Sequence, residues 1–165
     1  MRIAYKIFRR IEGKLRPLAY PCLPKKYAVI YHPGKWISAP GKSRFFLFDA
    51  FDSAKIAIDD WHFVEPIEIW QVAYIGKLLR TDLVPFIGGR DASSRAICGR
   101  RFENFWRIFP PRNSGRLFQA LSNQLVYAPS GTMTAKRIKL LRKIEPTSPK
   151  KRKEAKNENP KTGRI

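Results

Sequence analysis

Between residues 100 and 112 the chain reads Arg100-Arg101-Phe102-Glu103-Asn104-Phe105-Trp106-Arg107-Ile108-Phe109-Pro110-Pro111-Arg112, with bases interleaved among aromatics. Guanidinium groups neutralise phosphates, and an exposed ring can stack a nucleobase. The rings recur at Phe102, Phe105, Trp106 and Phe109, which is the spacing of one helix face. A buried face is the ordinary use of such a stripe. The arginines escape that objection. Arg100, Arg101, Arg107 and Arg112 lead the candidates for phosphate contact, joined by Arg90, Arg95 and Arg116 in the flanking sequence. A second basic run, Lys150, Lys151, Arg152 and Lys153, follows Pro149. Its composition suits a nuclear localisation signal or a flexible arm laid along nucleic acid, and equally a tail that is simply solvated.

Other chemistry finds little support. The two histidines, His32 and His62, are far apart, and only Asp59 is well placed beside His62 on a helix. Three or four metal ligands are not assembled, so no metal is expected. Cys22 and Cys98 form no Cys-x-x-Cys pair. They allow one disulfide, and two reduced thiols in an intracellular, cytoplasmic or nuclear, setting is the blander reading. Gly88-Gly89-Arg90 lacks the glycine offsets and following Lys-Ser/Thr of a phosphate-cradling loop. No Ser/His/Asp or Cys/His arrangement stands out, so no catalytic residue is assigned and no cofactor is implied. Tyr31, His32 and Glu68 suggest a nucleotide-transferase pocket, as in folds that resemble ADP-ribosyltransferases. No paired acidic motif on a late strand supports that alternative.

Charge narrows the partner. The chain carries 33 Lys and Arg against 13 Asp and Glu, a formal charge of +20. Residues 1–48 are net +10, residues 49–68 net −5, residues 69–144 net +11 and residues 145–165 net +4. A body so charged repels itself unless counter-ions or a polyanion screen it. Nucleic acid or another polyanion is the expected partner. A viral or phage structural or assembly protein meeting an acidic protein partner is the alternative. No uncharged apolar run is long enough to span a membrane, and the charged N-terminus lacks the apolar centre of a secretory signal.

The elements that must position these residues follow from periodicity and turn chemistry. One domain, residues 1–144, is expected, followed by a disordered basic tail, 145–165, whose Pro, Lys, Glu and Asn cannot bury enough to offset chain entropy. Residues 3–10 and 14–20 read as strands about a Glu12-Gly13 turn. Pro17 implies an edge or a bulge. Tyr27–Tyr31 and Trp36–Ser38 read as strands by β-branched and aromatic content. Arg44–Phe48 is a compact apolar strand. Asp49 or Asp52 can cap a helix over 52–62, with Ala54, Ile58 and Trp61 inward. Residues 67–74 form a strand of central character. Residues 82–96 read as a loop. Helical spacing follows at 102–109, stopped by Pro110-Pro111, and again over 114–125. After a turn at Pro129-Ser130-Gly131, residues 132–144 read as one strand. Thr134, Ile138, Leu140 and Ile144 take one face, with Arg137, Lys139 and Lys143 opposite. The sum is an α+β fold, a largely antiparallel sheet with two or three helices.

Five blocks occur in a particular order: Tyr5-Lys6-Ile7-Phe8-Arg9, Tyr31-His32-Pro33-Gly34-Lys35-Trp36, Phe46-Leu47-Phe48 before a helix with Ala54, Glu68-Ile69-Trp70-Gln71-Val72, and Gly131-Thr132 leading to Ala135-Lys136-Arg137-Ile138-Lys139-Leu140-Leu141. That order resembles small phage and microbial proteins without an assigned activity. The resemblance implies a plan of successive strands and no catalytic residue. It leaves residues 78–112 and the tail without a counterpart.

Overall fold

The computed structural model of the protein describes residues 1–20, 23–59, 66–85, 94–110 and 124–144, residues 94–98 in their backbone only. Within them the strands all pair antiparallel and two α-helices are present, an α+β fold as expected. The helix expected over 114–125 and the tail 145–165 lie outside the described residues, apart from the helix's last two positions.

β1 (Arg2–Ile11) turns back at Glu12-Gly13 into β2 (Lys14–Pro17). Both turn residues take positive φ, 50° and 73°, as a two-residue hairpin turn of this hand requires. Pro17 ends β2, whose one ladder is with β1, so its missing N–H is tolerated at the strand's edge. The strand expected to reach residue 20 therefore stops at 17, where the Tyr20 N–H closes a turn onto the Pro17 carbonyl.

Tyr27–Tyr31 is not a strand. Lys25–Tyr27 forms a single 3-10 turn, and Tyr31 makes only an isolated bridge to Leu15. The aromatic content here serves packing instead of pairing. The Tyr27 ring meets Phe102 edge-on at 4.9 Å, and Tyr31 meets Phe8 at 4.7 Å.

Next come β3 (Trp36–Ser38), β4 (Phe45–Phe48), α1 (Phe51–Asp59) and β5 (Ile67–Ile75), close to expectation. Of the expected inner face of α1, Ala54 is buried and Ile58 packs beside it, while Trp61 lies outside the described residues. The stretch read as a loop over 82–96 holds β7 (Leu83–Pro85), preceded by β6 (Leu79–Arg80), and α2 (Ser94–Ile108) begins inside it. Leu125 opens β8 (Leu125–Tyr127) and does not end a helix. These strands are two or three residues long, too short to show an alternation in sequence.

The run 132–144 divides into β9 (Thr132–Ala135) and β10 (Arg137–Ile144), with a bulge at Leu141. The bend at Lys136 sets Met133 and Ala135 on the side of Ile138, in place of Thr134. The bulge then puts Lys143, and not Ile144, opposite the inward Trp70.

The strand order is β3-β10-β5-β1-β4-β9-β6. Only Lys136 separates β9 from β10, so both ends of β10-β5-β1-β4-β9 belong to one bent stretch of chain. The sheet thus curls into a small barrel whose last join, β9 to β10, is the chain itself and not a ladder, lined by Phe8, Leu47, Val72, Met133 and Ile138, one from each strand. Lys136 ties this seam. Its Nζ donates to the carbonyls of Ala39, Gly41 and Ser43, and the Ala39 N–H donates back to the Lys136 carbonyl.

Two outer faces of the barrel are covered. α1 lays Ala54 and Ala57 against Ile7, Phe48 and Ile69. α2 lays Phe105 and Trp106 on Phe46 of β4, with Leu83 of the β7–β8 ribbon in the same cluster. Neither described helix lays its apolar face on β3, β10 or the second half of β5.

Candidate nucleic-acid interface

On α2 the aromatic stripe is core. Phe102, Phe105, Trp106 and Phe109 are all buried and pack on one another, mostly edge-on, with Phe105 and Trp106 also meeting Phe46. Arg100 and Arg107 project from the opposite side and are exposed, seven residues and therefore about 10 Å apart along the axis. Arg101 is half-buried. Glu103 on the same helix pairs with Lys26 at 2.7 Å. Arg95 lies on α2, but its side chain is outside the description. Arg90, Arg112, Arg116, Lys150, Lys151, Arg152 and Lys153 lie outside the described residues, as do Cys22 and His62.

A second basic surface appears on the barrel face that no described helix covers. In β10 the inward residues are Ile138 and Leu140, both fully buried, so Arg137 and Lys139 point outward. Register places Lys139 between Trp36 of β3 and Ala73 of β5, and Arg137 between Ser38 and Ile75. The Arg137 guanidinium lies 5.5 Å from the centre of the Trp36 ring. Past the bulge Arg142 faces outward too, donating from Nε to Gln71 Oε1 at 3.0 Å. The outward positions of these three strand segments hold no carboxylate. Among the described residues none pairs with Arg137, Lys139 or Arg142.

Charge in the interior behaves differently. Glu68 is buried, and Arg10 grips it twice, Nε to Oε1 at 2.6 Å and Nη2 to Oε2 at 3.0 Å. Trp70 Nε1 donates to it at 2.8 Å, and Lys143 Nζ stands 3.8 Å away. The Arg10 hydrogen bond holds the carboxyl below its usual range against the opposing pull of burial. Tyr31 is buried in the barrel and His32 is exposed. No hydrogen bond or ion pair joins these two to Glu68 among the described residues. Lys6 also faces inward, 7% exposed, donating to the Phe46 carbonyl at 3.1 Å. The rings of Phe8, Tyr31 and Phe45 have their centres 5.5–5.7 Å from its Nζ. Burial lowers its pKa to about 7 and pushes the Tyr31 phenol up. Among the described residues no three His, Cys, Asp or Glu side chains gather as a metal site.

Compared with known protein families, with curated proteins and with solved structures, the chain matches none. The geometry alone must carry a functional reading. Residue type pointed to the arginines of α2, and Arg100 and Arg107 do reach solvent. Arg137, Lys139 and Arg142 were missed as a site, although the alternation of Arg137 and Lys139 with apolar residues was visible; Arg142 joins them only through the bulge. What the sequence lacked was the register that sets them beside Trp36, about a hundred residues earlier.

Proposed function

We propose that this protein is a non-catalytic nucleic-acid-binding module that holds a phosphate backbone on the outer face of β3, β10 and β5. The carrying observation is a surface with three cations, one aromatic ring and, among the described residues, no carboxylate at its outward positions. Arg137, Lys139 and Arg142 supply phosphate contacts, and Trp36, ordered by Arg137, supplies apolar surface for a sugar or base. Arg100 and Arg107 of α2 add a second set of phosphate contacts. Such binding is driven by release of counter-ions and reads little sequence.

The test is a titration of a labelled oligonucleotide across a salt series. The logarithm of affinity should fall steeply with the logarithm of salt concentration. Arg137→Gln with Lys139→Gln should reduce that slope by about 1.5, two cations at roughly 0.7–0.9 each. Equal binding at low and high salt, or an unchanged slope in the double variant, overturns the proposal. Co-purification with an acidic protein after nuclease treatment, without oligonucleotide binding, would favour the assembly-protein reading instead.

A further inference from the structure

The chain leaves the barrel edge at Thr81 for the β7–β8 ribbon and returns at Ala128. The two crossings run side by side. The Ala128 N–H donates to the Asp82 carbonyl at 2.9 Å, and the Thr81 N–H to the Thr132 carbonyl at 3.3 Å. Between ribbon and barrel edge lies a groove of about 390 Å³, lined by Arg80, Thr81, Asp82, Tyr127 and the turn from Pro129 to Thr132.

The hydroxyls of Thr81 and Thr132 are bonded within their own turns, while Tyr127, Arg80 and Asp82 keep capacity for a ligand. Tyr127 is 83% exposed and stacks on no ring among the described residues. A large, flat, exposed ring at the rim of a groove is an unusual expense of apolar surface unless something covers it. Arg80 is aimed by Asp49, Nη1 to Oδ2 at 3.2 Å, while its side chain stays 73% exposed. A guanidinium has five N–H donors, so most remain for an anion. Asp49 is anchored in turn by its own N–H, which donates to the Gly131 carbonyl at 3.0 Å. Asp82 offers carboxylate acceptors beside them. A ring for stacking, an oriented cation and a hydrogen-bond acceptor around a space of this size match one nucleotide.

We infer that this groove takes a single unpaired nucleotide, its base on the Tyr127 ring and its phosphate at Arg80. Asp82 accepts from a sugar hydroxyl or a base amino group. The inference rests on the reading above and specifies it. A base within a duplex is stacked on both sides and cannot enter, so whatever the groove takes must present an unpaired base.

The test uses adenosine 5′-monophosphate and, separately, inorganic phosphate, each titrated into the whole chain and followed by amide and aromatic NMR shifts. The nucleotide should move the signals of Thr81, Asp82, Tyr127 and Gly131, and phosphate should leave the Tyr127 ring unmoved. Tyr127→Ala should abolish the nucleotide response and Tyr127→Phe should keep it. For a short single-stranded oligonucleotide, Tyr127→Ala should weaken binding by about tenfold or more with the salt slope unchanged. Nucleotide shifts that are absent, or that survive in Tyr127→Ala, overturn the groove. Oligonucleotide binding sensitive to Arg137→Gln/Lys139→Gln but not to Tyr127→Ala leaves the barrel face standing and removes the groove. A groove response without salt-dependent oligonucleotide binding does the reverse.

Discussion

Lys6 carries an amine into the barrel interior, where three aromatic rings surround it and no carboxylate pairs with it among the described residues. Burial favours the neutral form, which is why its pKa in the fold is about 7 against an ordinary 10.5. Between those values the unfolded chain binds a proton that the folded chain does not, so stability rises with pH across that window. Below about pH 7 both states are protonated and the penalty is constant. Above pH 10 Tyr31 acts the other way, because its phenol stays neutral in the fold while the unfolded chain ionises. The gap for Lys6 is worth on the order of 5 kcal/mol. Lys6→Met should therefore be more stable than the parent at pH 6 by several kcal/mol, with the advantage shrinking toward pH 10. Urea unfolding of both proteins across that range checks this. A constant difference between the two curves would contradict it. Glu68 shows the opposite solution to burying charge: three polar side chains, Arg10, Trp70 and Lys143, surround it, or reach toward it, and keep it ionised.

Among the elements, the turn before β9 depends on its glycine. Gly131 has φ 79°, and a Cβ there would collide with Asp49 Oδ1 and come within 2.7 Å of Ser53 Oγ. Gly34 has nearly the same φ, 80°, with nothing within 4 Å of its would-be Cβ. Gly34→Ala should cost only the left-handed backbone, about 1–2 kcal/mol. Gly131→Ala should cost more, because Asp49 must move and with it the carboxylate that orients Arg80. Denaturant unfolding of the pair measures the difference, and equal losses would show that the close approach is without consequence. The same contrast marks what sequence could and could not reveal. β1, β4 and β5 were legible because apolar residues alternate or run together along them, and α2 because its four rings fall on one face. Tyr27–Tyr31 misled, since the aromatics that favour strands were drawn into the core as isolated plugs. Closure of the barrel depends on pairings such as Lys139 with Trp36 and Ala73, which no local pattern encodes. For the site, arginine type was legible and placement was not. Arg80 and Tyr127 belong to strands of two and three residues and left no motif to read.

For the whole molecule the net charge of +20 sets the terms. Self-repulsion opposes compaction, and screening relieves it. The thermal midpoint should rise with sodium chloride. At equal ionic strength it should rise further with a polyphosphate, which binds adjacent cations of the folded face together. A midpoint indifferent to polyphosphate would mean that the basic side chains do not act as one surface. The barrel itself has another implication. β9 and β10 together form both its closing walls, so nothing made before residue 132 can seal the interior. During synthesis Phe8 and Val72 wait in an open trough until that keystone arrives. Pairing so distant in sequence is slow and leaves apolar lining exposed in the meantime. A chain cut short at residue 131 would keep its helices' greasy undersides and gain a gutter with no lid, a natural client for chaperones and a seed for aggregates.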